Sequence, residues 1–408
     1  MNAPLDRLSR RPAVTPAGEG PLSGISVLDL SAYIAGPYGC SLLADQGAEV
    51  VKIEPPAGDN LRNYPSTLAS ESRAFLGVNR SKLGLALDLK HPRGLAVLRA
   101  LARRADVLVQ NFRPGVAERL GIGHDALRAE NPRLIYCAVT GYGERGPLKA
   151  SAGYDQVLQA RTGMCSLQGE RGGAPEIVYG SVVDYYAAAL VAGGVASALY
   201  ERERSGQGQY VGVSLLRSAL AMQSARMVWA ADEPRDVGRD MRSGGITGLH
   251  PTREGHLYIS ANTPHFWREL CRLAGLDGFA DAERYDSVRK RAHHADEILP
   301  RLHAALAGRS ALEWERRFGQ AVPCAAVRTV EDMFDDEQVL AEDMIATMEH
   351  STVGRYRGLK RAIHFGRTPG PEPFAAPALG QDGEEVLRRQ GFSSEDIAAL
   401  RRDRAIGE

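Results

Sequence analysis

The sequence predicts an α/β protein: a large parallel-sheet domain followed by a smaller α+β domain. Three observations carry that prediction. Short apolar strand candidates alternate with helical patterns through the first half of the chain, the βαβ signature of a parallel sheet. Composition then shifts between Asp232 and Leu249, a mostly polar stretch with several glycines. Beyond it, Leu257 to Ala261 and a helix from Thr263 to Ala274 open a separate α+β unit. A length of 408 residues is ample for such a pair.

The elements follow in order. Ile25 to Leu30 (ISVLDL) is a first strand, followed by a Gly36-Pro37 turn and a helical pattern from Tyr38 to Gln46. Glu49 to Ile53 (EVVKI) is a second strand, closed by Glu54-Pro55-Pro56. Ala57 to Ser81 is rich in Gly, Asn and Ser and reads as a surface excursion. Leu83 to Leu89 (LGLALDL) leads through Lys90-His91-Pro92 into a helix, Arg93 to Arg104, with leucines at helical spacing. Asp106 to Gln110 and Leu134 to Thr140 are further strands. Each ends in a loop, Asn111 to Gly115 and Gly141 to Gly143. Ligands collect at the carboxyl ends of strands in such sheets, so both loops are candidate ligand contacts.

Further on come a strand, Tyr210 to Leu215, and a helix, Arg217 to Ala231. Ser310 to Phe318 and Ala325 to Thr329 belong to the smaller unit. Phe374 to Pro377 links to final helices at Glu384 to Arg389 and Asp396 to Arg402. The expected organisation is a flexible arm (residues 1–20), a large domain (21–231, with 366–408 returning to it), a linker (232–249), a small domain (250–345) and a second linker (346–365).

Charge and cysteine usage exclude several classes. Fifty basic residues balance fifty acidic ones, so a polyanion such as nucleic acid is not the expected partner. The five cysteines are widely spaced and form no CxxC pair, which fits reduced thiols in the cytoplasm. No uncharged stretch reaches the roughly 18 residues of a membrane span. The expected protein is soluble and cytoplasmic, without a membrane partner.

Chemistry concentrates between Pro175 and Leu215. A Gly180-Ser181 turn leads to a single acid, Asp184, and then to an almost uncharged helical run from Tyr185 to Tyr200. Two glycines in that run, Gly193 and Gly194, cost roughly 1 kcal/mol each against alanine, which predicts close backbone packing there. Taken alone, Asp184 reads first as a helix N-cap, a role that suits Asp, and second as a reactive carboxylate. The two roles are compatible, because the positive end of a helix favours the ionised form that a nucleophile needs.

Other motifs fail in context. Gly206-Gln207-Gly208 precedes a strand, so it is no dinucleotide fingerprint, and no Walker loop, G-x-S-x-G elbow or H-E-x-x-H occurs. His293-His294 reads as a solvated face in place of a metal site, and Cys137 as core. Neither a metal nor a nicotinamide cofactor is expected.

From about Leu22 to Ile406 the chain resembles the family III CoA-transferases, the formyl-CoA:oxalate and carnitine CoA-transferase group. The resemblance is carried by AGPYGCSLLADQGAEVVKIEPPAGD (Ala35 to Asp59), NRSKLGLALDLKHPRG (Asn79 to Gly94), ADVLVQNFRPGVAERLG (Ala105 to Gly121), NPRLIYCAVTGYGERGP (Asn131 to Pro147), AGYDQVLQARTG (Ala152 to Gly163), the Pro175 to Leu215 stretch and the tail LGQDGEEVLRRQGFSSEDI. It implies a large Rossmann-like, CoA-binding domain, a small α+β domain and an interlocked homodimer. It also implies that Asp184 is the nucleophile, passing through an aspartyl acyl anhydride and an aspartyl-CoA thioester as CoA moves from an acyl-CoA donor to a carboxylic acid acceptor.

For CoA, the resemblance points to Leu87, Asp88, Leu89 and Lys90, to Asn111, Phe112 and Arg113, and to Arg119. Tyr154 and Asp155 match positions bordering the family's active site, Asp155 standing where the oxalate enzyme has Glu. Two departures bear on substrate. Ile34 stands where that enzyme has Gln, and its glycine-run loop has only Gly244-Gly245 as a counterpart. Arg226, Arg242 and His250 are candidate contacts to an acid group.

Two other functions fit the same resemblance. An α-methylacyl-CoA racemase has His where this chain has Tyr154, a poor base near neutral pH. A non-catalytic CoA-binding protein would not need Asp184.

Overall fold

The computed structural model describes residues 20–169, 173–234 and 246–407. Its contacts divide the chain into two compact units, Met1–Trp229 with Gln338–Glu408, and Ala230–Glu337. The sequence boundary at residue 345 differs from this division, which counts Gln338 onward with the first unit.

The first unit is built on strands β1 (Ser26–Asp29), β2 (Glu49–Glu54), β3 (Leu83–Ala86), β4 (Val107–Gln110), β5 (Ile135–Thr140) and β6 (Tyr210–Ser214). They form one sheet in the order β3-β2-β1-β4-β5-β6, and every pairing is parallel. The order reverses between β1 and β4, and ligands bind at such a switch point in doubly wound sheets. Between and after these strands run α1 (Ala35–Ala44), α2 (Arg73–Val78), α3 (Pro92–Ala102), α4 (Val116–Arg119), α5 (His124–Glu130), α6 (Asp155–Arg161), α7 (Val182–Ser205) and α8 (Leu215–Ala221).

Alternation along the strands sorts their side chains into two cores. Leu28, Ile53, Leu85 and Leu108 pack with Leu98 and Leu101 of α3 on one face. Val27, Val50, Val109 and Cys137 pack with Leu43 of α1 and Val191 and Val195 of α7 on the other. Helix α7 is long and apolar enough to cross a membrane, with 44% of its most apolar window buried. Its packing with α1 inside the second core is the placement of a core helix.

Several elements differ from expectation. Helix α1 begins at Ala35 and runs through Gly36-Pro37, since proline is tolerated in a first turn. Helix α8 stops at Ala221, well short of Ala231. The excursion from Ala57 to Ser81 is not superficial: Leu61, Phe75, Leu76 and Val78 form a small core of their own. The close packing expected at the two glycines of α7 holds for one of them: a Cβ on Gly194 would lie 3.0 Å from Val211 of β6, whereas Gly193 faces open space. A tighter contact is made by Gly39 of α1, where a Cβ would lie 2.8 Å from Val191.

The second unit holds an antiparallel sheet of β7 (Gly248–Pro251), β8 (His256–Ile259) and β9 (Cys324–Ala326). Helices α9 (Pro264–Ala274), α10 (Val288–His293), α11 (Ala295–Leu306) and α12 (Ala311–Phe318) accompany it. Trp267, Leu270, Ile298, Leu302 and Phe318 fill its core.

After α13 (Glu337–Ala341), a hairpin of β10 (Ile345–His350) and β11 (Gly354–Leu359) occupies much of the stretch read as a linker. Helices α14 (Gly383–Arg389) and α15 (Ser394–Arg402) follow. This last segment closes the outer edge of β3. Gly84 N–H donates to Asp382 Oδ2 at 2.6 Å. Asp88 N–H donates to the Ala405 carbonyl at 3.0 Å, and Gly407 N–H to that of Ala86 at 3.1 Å.

Candidate active site

A cleft of about 520 Å³ opens at the carboxyl ends of β1, β4 and β5. Its first wall is the turn after β1, Ala32 to Ala35. Tyr33 there has φ 66°, a left-handed conformation that costs a non-glycine residue about 1–2 kcal/mol. Buried charge holds the turn. Asp29, at the end of β1, accepts from Ser31 N–H at 3.0 Å and pairs with Lys82 Nζ at 2.8 Å, both side chains fully buried. Lys52 donates to the Ser31 carbonyl and pairs with Asp59 at 3.1 Å. Asp59 in turn accepts from Tyr33 N–H at 3.2 Å. Burial opposes these charges, yet the lysines beside Asp29 hold its carboxyl below the usual range.

The loop after β4 forms the second wall. Asn111 Oδ1 accepts from Ala32 N–H at 2.9 Å, and its amide nitrogen donates to the Ala32 carbonyl at 2.7 Å. Phe112 and Arg113 line the cleft beside it.

Two glycines bring in the third wall. A Cβ on Gly141, just after β5, would lie 2.7 Å from the Gly153 Cα, and a Cβ on Gly153 would lie 2.5 Å from the Gly141 Cα. Only hydrogen side chains let these backbones cross. The crossing sets Tyr154 and Asp155 over the end of β5. Tyr154 is half exposed and meets Tyr33 edge to face at 5.9 Å, while Tyr33 meets Tyr64 at 6.4 Å.

Asp184 completes the lining. It is the third residue of α7, and the N-cap is Ser181, which has φ 62° and makes no side-chain cap. The cap comes from another helix. Asp155 Oδ2 accepts from Val183 N–H at 2.6 Å and from Asp184 N–H at 3.0 Å. Among the described residues, no hydrogen bond or ion pair reaches the Asp184 carboxyl oxygens. That separates the two sequence readings, because Asp184 does not cap its helix.

The expected ionisation of Asp184 also needs correction. Burial, and secondarily the Asp155 charge, push its carboxyl up to about 7. The helix terminus does not outweigh these, since its first free N–H groups already serve Asp155.

The cleft thus brings together Asp184, Tyr154, Asp155, Asn111, Phe112 and Arg113, with Ile34 and Lys149 beside them. Leu87, Asp88, Leu89, Lys90 and Arg119 do not line it. Leu87 is buried and bridges Ile406. Asp88 Oδ1 accepts from Lys90 N–H at 2.9 Å, and Leu89 packs on the first core. Lys90 and Arg119 are exposed.

His250 is no acid contact but a buried residue of the second unit, its Nδ1 3.2 Å from His303 Nε2 and its Nε2 3.0 Å from the Ile246 carbonyl. Burial lowers its pKa. Arg226 is exposed in a short turn after α8, and Arg242 and Gly244-Gly245 lie outside the described residues. No metal-binding cluster of His, Cys, Asp and Glu occurs among the described residues. Cys137 is buried in β5, its thiol pushed up to about 12 by that burial.

Comparison with known proteins identifies the family. The model of CoA-transferase family III matches residues 22–383. A succinate–glutarate CoA-transferase of Agrobacterium fabrum is 31% identical, over 91% of this chain and 96% of its own. An acetyl-CoA:oxalate CoA-transferase of Acetobacter aceti is 34% identical, over 81% of this chain and 87% of its own. The crystal structure of a CAIB/BAIF family protein from Brucella suis superposes with a TM-score of 0.80 at 26% identity, covering 91% of this chain and all of that one. The class is therefore an enzyme that moves CoA between an acyl thioester and a carboxylate. The chain belongs to CoA-transferase family III.

Proposed function

We propose that Asp184 carries the CoA exchange as a covalent nucleophile. The observation behind this reading is its carboxyl, unbonded and half-buried on the wall of the strand-end cleft. The ionised carboxylate attacks the thioester carbonyl of the donor, forming a mixed anhydride and releasing CoA thiolate. The thiolate attacks the aspartyl carbonyl, which expels the donor acid and leaves an aspartyl-CoA thioester. The acceptor carboxylate attacks that thioester and regenerates an anhydride and a thiolate. The thiolate then takes the acceptor acyl group, and Asp184 is restored. Each step exchanges one leaving group for another, the usual gain from covalent catalysis.

Phe112 and Arg113, which line the cleft, and the exposed Lys90 and Arg119 outside it are the proposed CoA contacts. Arginine suits phosphate because it donates bidentately. The named substrates of the relatives, succinate, glutarate and oxalate, make a small dicarboxylate the first acceptor to try. Proton exchange as in a racemase would need a second group titrating near neutrality. Tyr154 does not serve, since its bond with Tyr33 raises its hydroxyl pKa further. We further propose a homodimer, which a mass measurement in solution tests, and a cytoplasmic setting, consistent with free cysteines throughout.

The deciding experiment is hydroxylamine trapping after incubation with an acyl-CoA panel, read by mass spectrometry. Modification at Asp184 is expected, and Asp184→Ala should bind CoA without turnover. An unmodified Asp184 across the panel, or turnover in the alanine variant, rules the mechanism out.

A further inference from the structure

Asp155 is only 2% exposed, yet among the described residues its carboxylate is paired with no cation. Its oxygens are spent on neutral donors instead. Oδ2 takes Val183 N–H and Asp184 N–H, and Oδ1 accepts from Gln159 Nε2 at 2.5 Å. Gln159, fully buried, also holds Val178 from both sides: Val178 N–H donates to its Oε1 at 2.8 Å, and its Nε2 donates to the Val178 carbonyl at 2.9 Å. Between Val178 and α7 the chain passes through Gly180 at φ 107° and Ser181 at φ 62°. Two successive left-handed residues, one of them not glycine, need such bracing on both sides.

We propose that Asp155 is the positioning residue for Asp184: it caps α7 in Asp184's place, leaving that carboxylate free to face the cleft, and it keeps a negative charge beside it. The inference rests on the nucleophile reading only for its catalytic consequence. A helix start with no N-cap side chain would otherwise draw an Asp in its first turn toward its own N–H groups. A nucleophile so engaged is both weaker and aimed inward. With Asp155 in place, Asp184 stays a stronger base whose ionised fraction varies near neutral pH. Other titratable or charged groups on neighbouring elements include Tyr38 of α1, Arg161 of α6, Tyr185 and Tyr186 of α7, and the cleft-wall cations Arg113 and Lys149. Besides burial, the Asp155 charge is what raises the Asp184 carboxyl.

Difference infrared spectra between wild type and Asp184→Asn, taken across pH, isolate the Asp184 carboxyl without any substrate. Asp155→Asn keeps an acceptor oxygen and removes the charge, so the titration midpoint should fall by about one pH unit or more. Asp155→Glu should keep the midpoint high while slowing labelling of Asp184 by acyl-CoA several-fold. A midpoint unmoved in Asp155→Asn overturns the proposal, whether or not wild-type Asp184 is labelled; failure of labelling alone condemns the nucleophile reading instead. Hydrogen exchange in the wild type needs no variant: Val183 and Asp184 should exchange slowly, and fast exchange at both would also overturn it.

Discussion

Asn111 holds Ala32 by both of its backbone groups, accepting from the N–H at 2.9 Å and donating to the carbonyl at 2.7 Å. One side chain thereby ties the loop after β4 to the turn after β1, the two strands that flank the switch point. Removing it leaves two partly buried backbone groups without partners. Asn111→Ala should cost about 1–3 kcal/mol in denaturant unfolding and weaken acyl-CoA binding. Asn111→Asp should be worse, because it sets a carboxylate oxygen against the Ala32 carbonyl. Equal stability of wild type and both variants would contradict this role.

The crossing of Gly141 and Gly153 makes a second prediction. A methyl group at either position meets backbone at under 3 Å, so one strand of chain must move. Gly153→Ala should displace Tyr154 and Asp155 together. Activity should fall by tenfold or more, while the melting temperature drops by only a few degrees. A variant with wild-type kcat and kcat/KM would show that the segment has slack.

Stability should depend on pH through Asp184. Its folded pKa, about 7, lies above the ordinary carboxyl value of 3.8. The folded state therefore binds this proton more tightly than the unfolded state does. Its contribution is present below about pH 4 and is lost as pH rises through about 7. Asp184→Asn, which never ionises, should be more stable than wild type at pH 8 by as much as a few kcal/mol. The difference should close as pH falls toward 4. A gain that is constant with pH would mean that ionisation is not its source.

The Asp29–Lys82 pair offers a fourth test. Lys82→Met should cost about 3–5 kcal/mol, since it leaves Asp29 charged, buried and short of a cation. Asp29→Asn with Lys82→Met should recover much of that loss, and a double-mutant cycle in denaturant measures the coupling. Simple additivity of the two changes would dismiss the pair as a coupled unit.

Gly39→Ala and Gly193→Ala should act in opposite directions. The first forces α1 away from Val191 and should destabilise by about 1–3 kcal/mol. The second meets open space and should gain roughly 1 kcal/mol of helix propensity. A loss at Gly193 would instead place a partner surface on that face of α7.

Much of the sheet was legible because its strands are short apolar runs set between helical patterns. Asp184 was legible for a related reason: it is a lone acid at the head of an apolar helix. Its cap was not, because Asp155 lies 28 residues upstream of Val183 and no local spacing links them. The buried charges were hidden too. Asp29 and Lys52 sit in strand sequences where a charge reads as a solvent-facing residue, and only the assembled turn pairs them. Polar composition between Ala57 and Ser81 masked Leu61 and Phe75 in the same way. Helix periodicity could not tell Gly193 from Gly194, since close approach depends on what a neighbouring element presents.

The closed edge of β3 has a consequence for biosynthesis. Its partners lie far downstream, with Gly84 and Asp382 separated by 298 positions. A ribosome that has translated all six strands through Ser214 has therefore exposed an open sheet edge. At ordinary elongation rates, roughly 10 to 40 seconds pass before residues 382–407 follow. During that interval the nascent chain presents unpaired amides and carbonyls of the kind that recruit other strands. Chaperone dependence and aggregation should therefore respond to translation speed, and to truncation before Ala405, more sharply than to changes in the cleft.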